Sequence, residues 1–193
     1  MKNHKILLVL GLMLGAFSIA HAQGEQTITG NIISYGTRGY SGLRTGNFTL
    51  RVKSWTTEAQ AQRFLGLLQE SGQDKVLDEI RHEDVGSFSV NNNLSRTVNV
   101  ARRTTVDGKI FIRVVFERWE QFAEIRGGYR SLDYPFGYVE LTIDPATGKG
   151  TGQYFAAAKI RWKTDKKNGY HVEIEDYATF PAKLSNIKIE NRN

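Results

Sequence analysis

Apolar and polar residues alternate along most of the chain beyond about residue 25, and a period of two predicts β-strands. The alternating apolar positions form about nine runs: Ile28 and Ile32; Phe48, Leu50 and Val52; Phe88 and Val90; Val98 and Val100; Ile110, Ile112, Val114 and Phe116; Val139, Leu141 and Ile143; Tyr154, Ala156, Ala158, Ile160 and Trp162; Val172 and Ile174; Ile187 and Ile189. Hairpin-length connections separate most of these runs. The pattern therefore predicts an antiparallel barrel or sandwich of about nine strands.

One segment, at about residues 57–83, has the period of a helix instead. Thr57 and Gln60 match a capping box, and Gly72 is placed to end the helix that they begin. Its apolar stripe consists of Ala61, Phe64, Leu65 and Leu68. A second, shorter helix is indicated by Val76, Leu77 and Ile80. We therefore predict an α+β fold, mainly antiparallel β, with one helical hairpin inserted after the second strand and lying against the sheet.

Turn residues suggest how the strands pair. A three-residue loop ending at Gly169 would place Trp162 opposite Ile174 on the core side. On the outer face it would place Lys163 opposite Glu173 and Arg161 opposite Glu175, which are favourable pairs of charges.

The turn Val106-Asp107-Gly108 allows two pairings of its strands. A two-residue loop would set Arg102 opposite Arg113, and like charges repel. A three-residue loop, which pairs Val100 with Val114, is therefore the predicted one. A third hairpin is predicted at Asp144–Gly148, where Pro145 favours a turn.

The first 22 residues match an export signal. Lys2 and Lys5 precede an apolar run that is too short to span a bilayer, and Ala20-His21-Ala22 supplies small residues at the cleavage site. Cleavage before Gln23 would leave a single β-rich domain, residues 23–193. The protein is expected to be exported, to the periplasm or the extracellular space.

The composition limits the chemistry. Removing Lys2 and Lys5 with the signal lowers the formal net charge from +6 to +4, a modest excess that favours solubility. The chain has no cysteine, so thiol chemistry, thiolate metal sites and a lipid anchor on cysteine are excluded. We expect no cofactor and no membrane anchor. Charged side chains that alternate outward on several strands also argue against an outer-membrane barrel.

Several short sequence elements between about residues 48 and 190 are similar to those of a known group of proteins. They are Trp55-Thr56-Thr57, Tyr134-Pro135-Phe136, residues 148–152, Ala157-Ala158-Lys159-Ile160, and Ile174-Glu175-Asp176-Tyr177 leading to Pro181 and Leu184. In these the chain resembles an uncharacterised group of exported bacterial β-rich proteins. The resemblance implies an exported single domain and no particular activity.

Catalytic groups are scarce. His82 and His171 are the histidines left after signal removal, and this number excludes a site with several histidine ligands. The sequence also has no nucleophile-elbow pattern, which argues against a histidine-based triad. Carboxylates are more frequent around an aromatic-rich stretch. Glu117 and Glu124 are the pair that a carbohydrate hydrolase would use, if they lie across one cleft. The alternative is that these are surface acids paired with nearby arginines.

The segment from Arg118 to Tyr138 interrupts two strands and combines aromatic rings with arginines. Such side chains suit ligand contact through stacking and forked hydrogen bonds, and they equally suit a plug over a barrel end. The candidate ligand-binding residues are Arg118, Trp119, Tyr129, Arg130, Tyr134 and Tyr138. A hollow interior beneath the segment would favour a small apolar or carbohydrate ligand. A filled interior would favour a scaffold or protein-interaction role.

A basic run, Lys159 to Lys167, is the one feature that suggests nucleic acid. Because Glu173 and Glu175 are expected to pair with it, a solvated, salt-bridged face is the better interpretation and no nucleic-acid partner is expected. The leading hypothesis is a secreted, non-enzymatic binding or envelope-associated domain, with an envelope protein or a small molecule as its partner. A carboxylate-based hydrolase is the alternative.

Overall fold

The computed structural model describes residues 25–34, 43–119, 122–165, 169–177 and 180–191, so the predicted export signal lies outside the described residues. The strands are β1 Gln26–Ser34, β2 Arg44–Val52, β3 Gly86–Val90, β4 Arg96–Val98, β5 Val100–Val106, β6 Lys109–Glu117, β7 Phe136–Ile143, β8 Gly150–Asp165, β9 Gly169–Asp176 and β10 Ala182–Asn191. The helices are α1 Glu58–Ser71, α2 Gln73–Ile80 and α3 Phe122–Gly127. A short 3-10 helix spans Arg130–Asp133.

Nine strands form a nearly closed antiparallel barrel in the order β4-β3-β2-β1-β10-β8-β7-β6-β5. The first and last strands of the chain, β1 and β10, are neighbours, with Gln26 opposite Asn191. Strand β9 lies off this path and pairs with the distal half of β8. The predicted fold class is confirmed, and a barrel rather than a two-sheet sandwich is formed.

The barrel is completed at a kink between β4 and β5. Asn99 separates these strands, and its backbone N–H donates to the carbonyl of Val115 on β6 at 3.1 Å. Val98 before the kink belongs to the barrel core, whereas Val100 after it packs toward the helices. The alternation that placed Val98 and Val100 on one face was wrong, because the chain changes face at Asn99.

Aromatic rings fill the barrel interior. Phe88 lies 5.0 Å from Tyr154, 5.5 Å from Phe116 and 6.2 Å from Phe48, measured between ring centroids. All three phenylalanines are buried, as are the aliphatic side chains of β1, β6 and β7 that share the interior. The period-two pattern therefore places its apolar side chains inward, and the interior is packed rather than hollow.

A second core lies outside the barrel wall, beneath the helical hairpin. Leu68, Val76 and Ile80 from α1 and α2 pack with side chains of β7 and β8 such as Phe136 and Ile160. The predicted capping box forms between Thr57 and Gln60, and Gly72 ends α1 with a φ of 81°. Both the position of the hairpin after β2 and its packing on the sheet are confirmed.

A β-bulge allows β8 to contribute side chains to both cores. The pairing of β7 with β8 shifts by one residue between Phe136 and Tyr138, and one extra residue reverses which face later side chains occupy. Tyr154 consequently points into the barrel, whereas Ala158 and Ile160 pack in the helical core. The predicted single face from Tyr154 to Trp162 was wrong for this reason.

The predicted pairing of β8 with β9 was also wrong. Trp162 lies opposite Val172 and Ile160 opposite Ile174, a shift of two residues that leaves every side chain on its predicted face. The expected charge pairs form nonetheless: Arg161 contacts Glu173 and Glu175, and Lys163 lies 3.4 Å from Glu173. The turn residues 166–168, including Lys166 and Lys167, lie outside the described residues.

The hairpin of β5 and β6 has the two-residue turn that charge repulsion was expected to exclude. Asp107 and Gly108 adopt positive φ angles of 49° and 74°, as a type I′ turn requires, and Arg102 lies opposite Arg113. Each arginine has its own acid, because Arg102 contacts Glu58 of α1 and Arg113 contacts Glu140 of β7. The predicted turn at Asp144–Gly148 forms, with the Asp144 carboxylate accepting from the N–H of Ala146.

Candidate functional site

An open cleft of about 460 Å³ lies beneath the segment that follows β6. Its described lining residues come from α2 and the residue that follows it, the end of β6 and the two residues after it, α3, and the residue before β7: Leu77, Arg81, Glu117, Arg118, Trp119, Ile125 and Pro135. Leu77 lies on α2 and Arg81 caps its end with helical backbone angles, so these residues, four apart, lie on one side of the helix. The cleft is thus formed where the helical hairpin meets the end of the barrel.

Arg118 holds the floor of this cleft in place. Its side chain is only 9% exposed, and its guanidinium donates to the carbonyls of Tyr134 at 2.6 Å and Ser131 at 2.7 Å. Its backbone N–H donates to the carbonyl of Pro135 at 2.9 Å. Arg118 therefore fixes residues 131–135 against the end of β6, and its position in the site is structural.

Replacing Arg118 with methionine is expected to destabilise the protein by about 3 kcal/mol, because two charge-assisted hydrogen bonds are lost and the buried Tyr134 carbonyl loses its partner. Hydrogen exchange should quicken first at the amides of Leu132 and Tyr134, which are hydrogen-bonded within this segment. The matched control is Arg126→Met, since Arg126 is exposed at the end of α3 and should tolerate the change. Unchanged exchange in R118M would show that these hydrogen bonds do not hold the segment.

Trp119 presents an indole at the edge of the cleft. The residue is 56% exposed, and the Arg96 guanidinium lies over its ring at 3.5 Å from the centroid. Burial lowers the pKa of Arg96, and its Nη1 has no hydrogen-bond partner among the described residues. The cation–π contact orients the indole, so one large aromatic surface is held open to solvent.

The acid in the cleft is already paired. Glu117 lies 3.3 Å from Arg81, which also lies 3.5 Å from Asp78. Glu117 is the one acidic side chain among the described residues that line the cleft. The side chain of Glu124, its proposed catalytic companion, lies outside what the structure describes, so the hydrolase alternative stays a prediction.

Among the described side chains, the other candidate residues do not line the cleft. Tyr134 is buried and donates from its hydroxyl to Glu175 at 2.6 Å. Tyr138 is also buried, and its hydroxyl donates to Glu140 at 3.0 Å; burial raises the pKa of this phenol. Tyr129 is exposed, and the side chain of Arg130 lies outside the described residues. The later tyrosines of the segment are thus buried, with Tyr138 in the core beneath the helical hairpin, and Trp119 stays open to solvent.

Four lining residues were not among the predicted site residues: Leu77, Arg81, Ile125 and Pro135. Leu77 and Arg81 belong to a helix some forty residues earlier in the chain, and a helical pattern assigns them only to a core face and a solvent face. Their place in the cleft depends on how α2 docks on the sheet.

No protein-family model, curated protein or solved structure matches the chain. Within the described residues, no helix has the length and apolar character needed to cross a membrane. The same part of the chain contains no group of three or more histidine, aspartate or glutamate side chains that could hold a metal ion.

Proposed function

We propose that this protein is a non-enzymatic binding domain that acts after export and holds a segment of another envelope protein in the cleft beside Trp119. The observation that carries the proposal is the exposed indole at the edge of an open cleft of about 460 Å³. Phe88, Phe116 and Tyr154 pack against one another in the barrel interior, whereas the cleft is open to solvent at the barrel end. Binding is therefore assigned to the surface.

The exposed side chains here are those that dominate protein interfaces. Tryptophan, tyrosine and arginine are enriched among residues whose truncation costs most binding energy, and Trp119, Ile125 and Tyr129 are each more than half exposed. The cleft volume accommodates one or two apolar side chains of a partner. A protein segment suits these features better than a lone metabolite.

Charge further defines the partner. Arg118 is buried and donates to backbone carbonyls, so Arg81, whose side chain is 39% exposed, is the cation among the described lining residues that a partner's carboxylate can reach. A partner segment with an apolar anchor next to an acidic residue would complement this lining, since opposite potentials across an interface favour the correct register. The proposed ligand is thus a peptide segment with an apolar–acidic pair.

A displayed peptide library, selected on the purified protein, tests this proposal. We expect the enriched peptides to share an apolar residue beside aspartate or glutamate. Replacing Trp119 with alanine should weaken their binding by roughly 30-fold, the usual effect of removing a central aromatic anchor. Binding is measured by fluorescence anisotropy of labelled synthetic peptides.

The control variant is Val106→Ala, because Val106 is exposed at the turn between β5 and β6 and does not line the cleft. Peptide affinity should be the same for V106A and the unaltered protein. Selection without a common motif, or peptides that bind W119A as tightly, would contradict the proposal.

A further inference from the structure

A second open groove, of about 1010 Å³, lies where β8 and β10 separate. Among the described residues, β10 pairs with β8 only over Ala182–Leu184. Beyond these residues the turn before β8, at 148–151, borders the groove together with residues 185–188 of β10. The groove also reaches the outer face of β1 and β2, away from Trp119 and the first cleft.

A row of asparagine side chains crosses the strands beside this groove. Asn186 of β10 donates from its Nδ2 to Oδ1 of Asn31 on β1 at 2.7 Å, and Asn31 donates to Oδ1 of Asn47 on β2 at 3.0 Å. The row ends at Asn91, whose Oδ1 accepts from the backbone N–H of Asn47 at 2.9 Å. Each amide is therefore held in one orientation on a rigid sheet.

These contacts leave hydrogen-bonding capacity directed at solvent. A side-chain amide has two N–H donors and an oxygen with two lone pairs. The described contacts use one donor of Asn186, one donor and one lone pair of Asn31, and one lone pair of Asn47. The row therefore retains both donors and acceptors at fixed positions, and preorganised groups lose little entropy when a ligand binds.

The rest of the lining is rich in hydroxyl groups. They are supplied by Thr29, Thr49, Thr151 and Ser185. Lys149 and Lys188 add positive charge, and no acidic side chain occurs among the described lining residues. Phe48 and Ile187 also line the groove, but they are only 1% and 3% exposed, so neither offers a ligand a large apolar surface. Such a surface suits a ligand with many hydroxyl groups and a negative charge, and it disfavours a cation.

We infer that this groove binds an acidic oligosaccharide, with the asparagine row contacting sugar hydroxyls and the two lysines contacting carboxylates. An extended peptide would also bond to amides, but peptide recognition relies on apolar contacts as well, and the apolar side chains of this lining, Phe48 and Ile187, are almost fully buried. The groove is independent of the cleft beside Trp119. Because the contacts are hydrogen bonds and exposed charges, the affinity is expected to be on the order of millimolar.

Nuclear magnetic resonance of ¹⁵N-labelled protein tests the inference with two probes, a galacturonic acid hexasaccharide and a hexa-alanine peptide. The hexasaccharide should shift the side-chain amide signals of Asn31 and Asn47. Asn47→Ala should weaken binding roughly tenfold, since it removes one amide from the row. Asn93→Ala, at an exposed asparagine that does not line the groove, should bind normally, as should Trp119→Ala.

Three results would overturn the inference. One is a spectrum in which the hexasaccharide leaves the Asn31 and Asn47 amide signals in place throughout the millimolar range. Another is a response of those signals to hexa-alanine alone, which would assign the groove to peptide. Equal affinities of N47A and the unaltered protein would likewise exclude the asparagine row as the contact surface. None of these results bears on the binding proposed for Trp119.

Discussion

Replacing Phe88 with alanine is expected to lower the free energy of unfolding by about 4 kcal/mol, because it empties the centre of the barrel. Phe88 is 1% exposed and contacts the rings of Phe48, Phe116 and Tyr154. The substitution leaves a cavity, and the side chains around it lose their packing contacts with the ring. The neighbouring rings belong to three different strands, so they cannot all move inward to fill the cavity. Urea unfolding followed by circular dichroism measures the loss.

The matched control for this substitution is Phe180→Ala. Phe180 is 62% exposed, so the same change should cost less than about 1 kcal/mol. If F88A proved no less stable than F180A, the ring cluster could not be the main source of barrel stability. A marginally stable F88A protein remains measurable by its lowered urea midpoint at reduced temperature.

Replacing Asn99 with leucine is expected to have the second large effect, a decrease of about 3 kcal/mol in the free energy of unfolding. Asn99 is 4% exposed; its Nδ2 donates to the Glu83 carbonyl at 2.8 Å, and its Oδ1 accepts from the Glu117 N–H at 2.9 Å. Leucine has a similar volume but leaves the partly buried Glu83 carbonyl and Glu117 N–H without their partner, and desolvation of such a group costs about 1–3 kcal/mol when it is buried. The barrel would lose the side-chain bonds of residue 99 to Glu83 and Glu117, while the backbone bond to Val115 would remain.

Differential scanning calorimetry of N99L measures the loss of stability, and hydrogen exchange shows which part of the structure is destabilised. Faster exchange is expected at Glu117 and Val85 before the rest of the barrel, because both amides bond across the kink region. Asn93→Leu, at an exposed turn position, is the control and should melt like the unaltered protein. Equal melting temperatures for the two variants would show that side-chain bonds of Asn99 do not hold the barrel closed.

The sequence could predict fold class because inward-facing residues repeat with a period of two over many strands. It could not predict the pairing of β8 with β9, since a shift of two residues keeps every side chain on its face. Repulsion between Arg102 and Arg113 led to the wrong register for β5 and β6. Glu58 and Glu140, which come from other elements, neutralise the two arginines. Pairwise charge arguments fail when a third element supplies the counter-charge.

The sequence could predict only part of the candidate site. Trp119 and Arg118 stand out as an aromatic next to an arginine where a strand pattern ends. Whether such a side chain is exposed or buried depends on neighbours that the local pattern does not contain: Arg118 turns inward to backbone carbonyls, while Trp119 turns outward. The asparagine row is invisible in sequence because its members come from four separate segments.

The pairing of β1 with β10 also has a consequence for how the chain acquires its structure. Synthesis delivers β10 after every other strand, so β1 must wait for a neighbour more than 140 positions away, and long-range closure is slow. Until then β1 remains an open edge that other polypeptides could extend. Completion of the barrel is therefore a late event, and a holding chaperone would act most usefully in the interval before it.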